Sequence, residues 1–304
     1  PSRVGWLTVG WNAPFMLGLI AIVVIFAMVF GSFIMGGGKF DIIAHAAPHE
    51  VMCIMGAAVG AFMLGNKGEV VKATLKDLKK VFAGPKWKAQ DYKDLLSLLF
   101  TILKLVRTKG MIALEQHIEN PEQSSIFQQY PKIMHDHFAV EFICDTLRMI
   151  TMNFEDPHQL EDVMEKILEK HHHEAAMPQH AVQSMADGIP ALGIVAAVLG
   201  VIKTMSSISA PVEILGGMIG GALVGTFLGV FFAYGFIGPM ANKLGQVYDQ
   251  DHQFYLIIKG ILVSHLQGNA PQISVEIGRG SVPTKMQPSF KEMEELLQNL
   301  PAAT

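Results

Sequence analysis

Charge is scarce in this sequence. Aspartate, glutamate, lysine and arginine make up 16% of its 304 residues, and half of the residues are apolar. Ordinary soluble domains carry roughly 25% charged residues, and the mean hydropathy here is +0.34. The shortage of charge therefore indicates membrane-spanning segments, each of which needs about 20 mostly apolar residues.

Cysteine and clustered basic residues are also scarce. The two cysteines, Cys53 and Cys144, form no disulfide framework and suit a reducing compartment. The net charge is −4, and no stripe of basic residues alternates with aromatic ones. The sequence therefore predicts no nucleic-acid partner.

No catalytic or metal-binding set stands out. We find no nucleophile paired with a base, so we expect a non-enzyme without a cofactor. Histidines are concentrated in His171–His180 and His135–His137. Adjacent histidines do not share one helix face, so these segments predict polar, pH-sensitive helix ends and no metal site. Gly36–Lys39 lacks the leading glycine and the following serine or threonine of a phosphate-binding loop.

Four apolar runs dominate the sequence. Leu17–Met35, Asp187–Met205 and Ile214–Met240 have spanning length, and Val51–Gly65 reaches it if its helix begins near Ala44. We therefore predict an all-α membrane protein: four transmembrane helices with a large helical cytoplasmic domain between the second and the third. With both termini also inside, 21 of the 23 lysines and arginines are cytoplasmic, as the positive-inside rule favours.

The predicted organisation has five parts. These are an N-terminal extension at 1–16, transmembrane helices 1 and 2 at 17–65, the cytoplasmic helical domain at 66–186, transmembrane helices 3 and 4 at 187–241, and a cytoplasmic C-terminal region at 242–304.

Helical signals run through the cytoplasmic regions. Asp91–His117 predicts one long helix. Asn120–Gln123, Asp156–Gln159 and Ser289–Glu292 each combine an N-cap residue with a glutamine or glutamate three residues later, as a helix start does. Ile273–Ile277 predicts a short extended piece.

The predicted spans lack a carboxylate at their middle. Glu50, Asp187 and Glu213 all fall at span edges. Ion-conducting proteins usually carry an ionisable group inside the bilayer. The chain alone is therefore poorly equipped to relay a proton through the membrane core.

Small residues replace polar ones in the fourth span. Four glycines recur every four residues and share one helix face: Gly217, Gly221, Gly225 and Gly229. Such a face permits close approach of a second helix. The second helix belongs either to this chain or to a different one, and the spacing leaves both interpretations open.

Four long motifs occur in order along the chain: "RTKGMIALEQHIENPEQSSIF", "DGIPALGIVAAVLGVIKTM", "VGTFLGVFFAYGFIGPMANKL" and "PSFKEMEELL". Together they resemble the A subunit of the bacterial flagellar motor stator, the MotA/PomA family, over roughly 17–300. The resemblance implies a ring of A subunits, a pentamer, in the lipid of the bacterial inner membrane. The ring would surround one-span B subunits whose aspartate carries the ion, and it would turn ion flow into flagellar rotation by pushing a rotor switch protein.

The resemblance assigns the rotor contact to Arg107 and Glu115. On a straight helix these residues lie two turns and about 80° apart, so both could face outward. Lys104 and Lys109 extend the basic side of this patch, and Glu119 extends the acidic side. The alternative interpretation is an ordinary solvated helix face.

The resemblance also marks positions in the spans. Pro190 and Pro239 match two family prolines and are candidate hinges, and Thr226 matches a threonine near the partner's aspartate. If Asp187 caps a new helix, Pro190 instead lies in a first turn, where its missing N–H costs nothing. Sodium-type relatives have a threonine where this chain has Ala197, so we predict proton coupling because alanine offers Na⁺ no oxygen ligand.

Two other functions stay open. One is an A-type ring subunit of an energy-transducing proton channel that powers outer-membrane transport; such relatives usually have three spans and an outside N-terminus. The other is a membrane scaffold that conducts no ions.

Overall fold

The computed structural model describes residues 13–152 and 156–300, so most of the predicted N-terminal extension at 1–16 lies outside the described residues. Within these ranges the chain is helical, without strands. The α-helices are α1 Ala13–Met35, α2 Phe40–Gly65, α3 Gly68–Asp77, α4 Lys80–Ala83, α5 Ala89–Lys109, α6 Ile112–Glu119, α7 Pro131–Met134, α8 His137–Thr151, α9 Pro157–Met205, α10 Val212–Phe232, α11 Gly238–Leu266, α12 Pro271–Gly280 and α13 Phe290–Gln298.

Among the described residues, four helical segments are long and apolar enough to cross a membrane. They are Met16–Met35, Phe40–Gly65, Pro157–Met205 and Val212–Leu266. This confirms the predicted fold class, with a large helical region between the second and third spans.

The chain divides into two compact units. The membrane unit comprises the residues up to Gly84 together with Ala175–Val247. The second unit comprises Pro85–Glu174 and the residues from Tyr248 onward. Helices α9 and α11 each contribute residues to both units.

Apolar side chains of α2, α9 and α10 form the core of the membrane unit. Ile54, Ile189 and Leu228 are all buried in this cluster. On α1, the Phe26 ring meets the edge of the Phe231 ring of α10 at a centroid distance of 5.5 Å. Because lipid is as apolar as these side chains, this association depends on van der Waals packing and not on the hydrophobic effect.

Helix α9 is continuous through the predicted start of the third span. Its N-cap is Asp156, whose carboxylate accepts a hydrogen bond from His158 N at 2.9 Å. Of the two arrangements that the sequence left open, the structure therefore shows one long helix and no new helix capped by Asp187. Pro190 lies inside the helix, where it removes one backbone hydrogen bond.

The fourth span changes its helical pitch near its end. A π-helical turn, Ala233–Ile237, separates α10 from α11, and Gly238 N–H donates to Ala233 O. Pro239 follows at once. A proline ring clashes with the carbonyl four residues earlier in an α-helix, and this wider turn lies where that clash would arise.

The second unit has a core of large buried side chains centred on α5. Trp87 and Phe254 stack with ring centroids 3.7 Å apart. Cys144 of α8 is buried in the same core, and burial raises the pKa of its thiol to about 12. The thiol therefore stays protonated at neutral pH and acts as a small apolar side chain.

Three local predictions in the second unit are wrong. The run Asp91–His117 is two helices, because α5 ends at Gly110, whose φ of 82° suits glycine. Asn120 makes no side-chain cap, and Pro121–Gln123 is a 3₁₀ turn. Ile273–Ile277 is helical within α12. The predicted capping box at Ser289–Glu292 is confirmed.

Asp136 joins three elements of the second unit. Its carboxylate caps α8 by accepting from Ala139 N at 2.8 Å and also accepts from the Tyr255 hydroxyl at 3.0 Å. It forms an ion pair with the Lys86 ammonium. The side chain is buried, so its loss leaves buried donors without a partner.

We expect Asp136→Ala to destabilise the second unit by about 2–4 kcal/mol, the combined effect of a lost cap and unsatisfied buried donors. The thermal midpoint followed by circular dichroism in detergent should fall by roughly 5–10 °C. The matched control is Glu141→Ala, an exposed position on the same helix, which should leave the midpoint nearly unchanged. Equal midpoints for the two variants would contradict this role.

Candidate functional site

The C-terminal half of the face formed by Gly217, Gly221, Gly225 and Gly229, the glycine face, packs against this chain's own third span. A methyl group added to Gly229 would lie 2.8 Å from Gly193 Cα and 3.2 Å from Ile189 O. Real Cβ atoms do not approach backbone so closely. Helices α9 and α10 are therefore in backbone contact here, and only glycine fits.

The N-terminal half of the same face is open. A methyl group on Gly217 would meet nothing within 4 Å, and one on Gly221 would make an ordinary contact at 3.7 Å with Ala46 Cβ of α2. Gly217 is exposed. The four glycines thus separate into an intrachain pair, Gly225 and Gly229, and an outer pair with room beside it.

Ala197 and Thr226 lie where α2, α9 and α10 meet. A methyl group on Gly225, the residue before Thr226, would lie 2.8 Å from Glu50 Oε2 and 3.0 Å from Ala197 N. Ala197 is buried and Thr226 is half-buried. The structure therefore brings Ala197 together with the Glu50 carboxylate at Gly225, and Thr226 is the next residue of α10.

The placement of Glu50 at a span edge is wrong. Helix α2 begins at Phe40, so Glu50 is the eleventh of its 26 residues, about 15 Å along the axis. Sequence reasoning missed this because the polar residues before Glu50 hide the outer half of the helix.

The predicted rotor-contact residues lie on two helices instead of one. Arg107 and Lys109 are in the last turn of α5, and Glu115 is in the first turn of α6. Gly110 reverses the backbone between them. Arg107 and Glu115 are both exposed, and neither forms an ion pair with another residue that the structure describes. Two unpaired charges of opposite sign are therefore available to a partner.

The two charges that flank this patch, Lys104 and Glu119, differ in their contacts within the chain. Lys104 is exposed, and its ammonium lies 5.8 Å from the centroid of the Phe100 ring. Glu119 accepts from Arg148 Nε at 2.8 Å, so the carboxylate at the acidic end of the patch is already paired within the chain.

His117 holds α6 in place through a buried contact with Ser124. The ring is buried, and its Nδ1 lies 2.8 Å from Ser124 Oγ. Burial, with a smaller effect of Lys109, lowers the pKa of His117, so the imidazole stays neutral. This anchor fixes the helix that presents Glu115, and sequence reasoning did not identify it.

Two family models match most of the chain. "Motility protein A N-terminal" matches residues 19–110, and "MotA/TolQ/ExbB proton channel family" matches residues 134–255. Motility protein A of Escherichia coli strain K12 is 40% identical over 92% of this chain and 94% of its own length. The chain belongs to the motility protein A family. The resemblance to MotA/PomA proteins that the motifs indicated is thereby confirmed.

Other members of the motility protein A family agree. Motility protein A of Salmonella typhimurium is 40% identical over 92% of this chain and 94% of its own length. Chemotaxis protein LafT of Vibrio parahaemolyticus is 33% identical over 93% of this chain and 98% of its own length.

Solved structures share the fold. The C. jejuni MotAB structure gives a TM-score of 0.66 at 19% identity, covering 88% of this chain and 95% of that one. The flagellar MotAB stator complex from Bacillus subtilis gives 0.64 at 24% identity, covering 88% and 96%.

The two halves of the glycine face should respond differently to a methyl group. We expect Gly229→Ala to destabilise the membrane unit by about 1–3 kcal/mol because two backbones must separate. Gly217→Ala, with open space around it, should leave stability unchanged or slightly raised, since alanine favours helix. Thermal unfolding of the full chain in detergent measures both, and equal effects would contradict the assigned packing.

Proposed function

We propose that this chain is an ion-conducting stator subunit of the bacterial flagellar motor, which converts proton flow, through a complex with a B subunit, into torque on the rotor. The observation that carries the proposal is the 40% identity to motility protein A over nearly the whole of both chains. The four membrane-capable helices fit this function better than the three usual in energy-transducing ring proteins. No feature of the described residues favours an enzyme or a non-conducting scaffold.

The partner in this proposal is a one-span B subunit. Its transmembrane aspartate would lie beside Ala197 and Thr226, near the open outer pair Gly217 and Gly221, where α10 leaves room for a further helix. Several copies of this chain would surround it as a ring, a pentamer in keeping with the family resemblance. The ring would be embedded in inner-membrane lipid with both termini in the cytoplasm.

The rotor contact in this proposal is the surface formed by the end of α5 and the start of α6. Arg107, Lys104 and Lys109 provide its basic side and Glu115 its acidic side. A bipolar surface of this kind sets register and encounter rate with a complementary partner more than affinity. The partner would be the rotor switch protein.

Pro190 and Pro239 are the proposed hinges. Each interrupts the backbone hydrogen-bond ladder of a long helix, Pro190 within α9 and Pro239 just after the π turn. One charge crossing about 150 mV releases about 3.5 kcal/mol, which is enough to bias a conformational step of that size.

Charge reversal tests the rotor contact. We expect Arg107→Glu and Glu115→Lys, made singly in a strain that builds flagella, each to reduce swimming by roughly half or more, since like charges then face the partner. The control is Glu141→Lys, an exposed charge on α8 outside this surface, which should swim normally. Normal swimming by both single variants and by the double variant, at normal membrane abundance, would refute the contact.

The coupling ion is tested in the same strain. Because Ala197 offers no oxygen ligand, we expect swimming speed to be independent of external Na⁺ and to collapse when a protonophore is added. Speed that follows external Na⁺ and survives the protonophore would establish sodium coupling instead.

A further inference from the structure

A polar cleft opens between α2, α9 and α10 in the membrane unit. Its volume is about 430 Å³, room for roughly fourteen water molecules at about 30 Å³ each. Five titratable or charged side chains line it: Asp41, His45, His49, Glu50 and Lys203. The rest of its lining is uncharged and combines Ile42 and Met218 with small residues such as Thr204, Gly217 and Gly221.

Three titratable groups of α2 follow one line along the cleft. Asp41, His45 and His49 are four residues apart, so they lie on one helix face over about 12 Å. Glu50 is turned about 100° from His49 around the helix and also lines the cleft, about 15 Å from the start of the helix. Lys203 faces the same cleft from α9, and the residues of α10 that line it are not titratable.

A neighbouring cleft shows that this polarity is specific to one side of α2. That cleft, of about 520 Å³, lies between α1, α2 and α10 and is lined mainly by apolar side chains such as Phe30, Phe33 and Phe227. Both clefts are large enough for water, but only the polar cleft offers the several hydrogen-bond partners that ordered water needs.

The inner end of the polar cleft meets the predicted ion path. Glu50 Oε2 and Ala197 N both approach the position that a side chain on Gly225 would occupy. An ionisable group at this depth in a span is costly unless it faces water or a functional site. Here Gly225 has no side chain, so the Glu50 carboxylate fits between the helices.

We propose that the polar cleft is the water-filled entry by which protons pass from the outer membrane surface to mid-span, and that Glu50 is the carboxylate that relays them at its inner end. The inference rests on the proposed function and its topology, in which α2 begins at the outer surface. A hydronium ion or a His49 imidazolium gives its proton to a Glu50 oxygen, forming one O–H bond as the donor bond breaks. Glu50 then passes the proton to the partner's aspartate and returns to the carboxylate.

Thiol labelling tests whether the cleft holds water. In the full complex, with Cys53→Ser and Cys144→Ser as background, a membrane-impermeant maleimide is applied to the outside of intact cells. We expect Met218→Cys, which lines the cleft, to react at least about tenfold faster than Ile219→Cys, because a thiolate forms only in water. Ile219 is the adjacent residue of α10 and is exposed away from the cleft, so the pair is matched in depth. Equal labelling, or no labelling of Met218→Cys, overturns the water-filled entry.

Proton flux tests the relay. The complex with its B subunit is placed in vesicles containing a pH-sensitive dye, and a potassium diffusion potential with valinomycin drives the flux. We expect Glu50→Gln, which keeps the side-chain shape, to lower flux by at least about tenfold, and Glu50→Asp to restore part of it. The control is Glu213→Gln, a carboxylate outside the cleft lining at the start of α10, which should conduct normally.

The outcomes separate the two proposals. If the unmodified complex conducts and Glu50→Gln conducts equally, the relay is refuted while the stator function stands. If the unmodified complex conducts no protons, the proposed function fails and the relay fails with it.

Discussion

The close approach of α9 and α10 is the constraint on which the membrane unit depends. In lipid, helices gain little from burying apolar surface, so they associate through backbone contact at small residues. Gly193 against Gly229, and Gly200 against Ala222, supply that contact at two levels. Between these levels, Gly225 leaves the space into which Glu50 reaches. Glycines on α9 and α10 therefore allow the two helices to pack closely, and Gly225 also leaves space for the Glu50 carboxylate between them.

The second span shows why the sequence predicted the number of helices but not the position of their polar groups. Apolar length identifies a span because the bilayer demands it. The N-terminal half of α2 carries Asp41, His45, His49 and Glu50, so its hydropathy is low and the span seemed to begin later. The four-residue spacing of Asp41, His45 and His49 was the available signal, since it places their polar side chains on one face of a helix. At Pro190 the sequence left a new helix start and a continuous helix both open, and the structure shows the continuous helix.

Helix α12 shows a second kind of error, in which a short alternating pattern conceals a helical one. Ile273–Ile277 alternates apolar and polar residues as a strand does. The buried positions, however, are Pro271, Ser274, Val275 and Gly278, the three- and four-residue spacing of a helix. Gly278 lies directly against Ile261, a tertiary contact that no local pattern reveals. Packing of this kind overrides the local preference for extended structure.

Ion choice follows from what the path lacks as well as from what it has. Na⁺ gives up water only where several oxygen ligands replace it. At the meeting point of the spans, Ala197 and Gly225 supply none from their side chains, and the oxygens there are those of the Glu50 carboxylate. Imidazoles and carboxylates, by contrast, exchange protons with water near neutral pH. The ammonium of Lys203 faces the same cleft and repels metal cations, while a proton can move between water and side chains without a coordination shell. We propose on this basis that the path, which has few fixed oxygen ligands and several titratable groups, suits protons, and that the partner adds an acidic group beside Ala197.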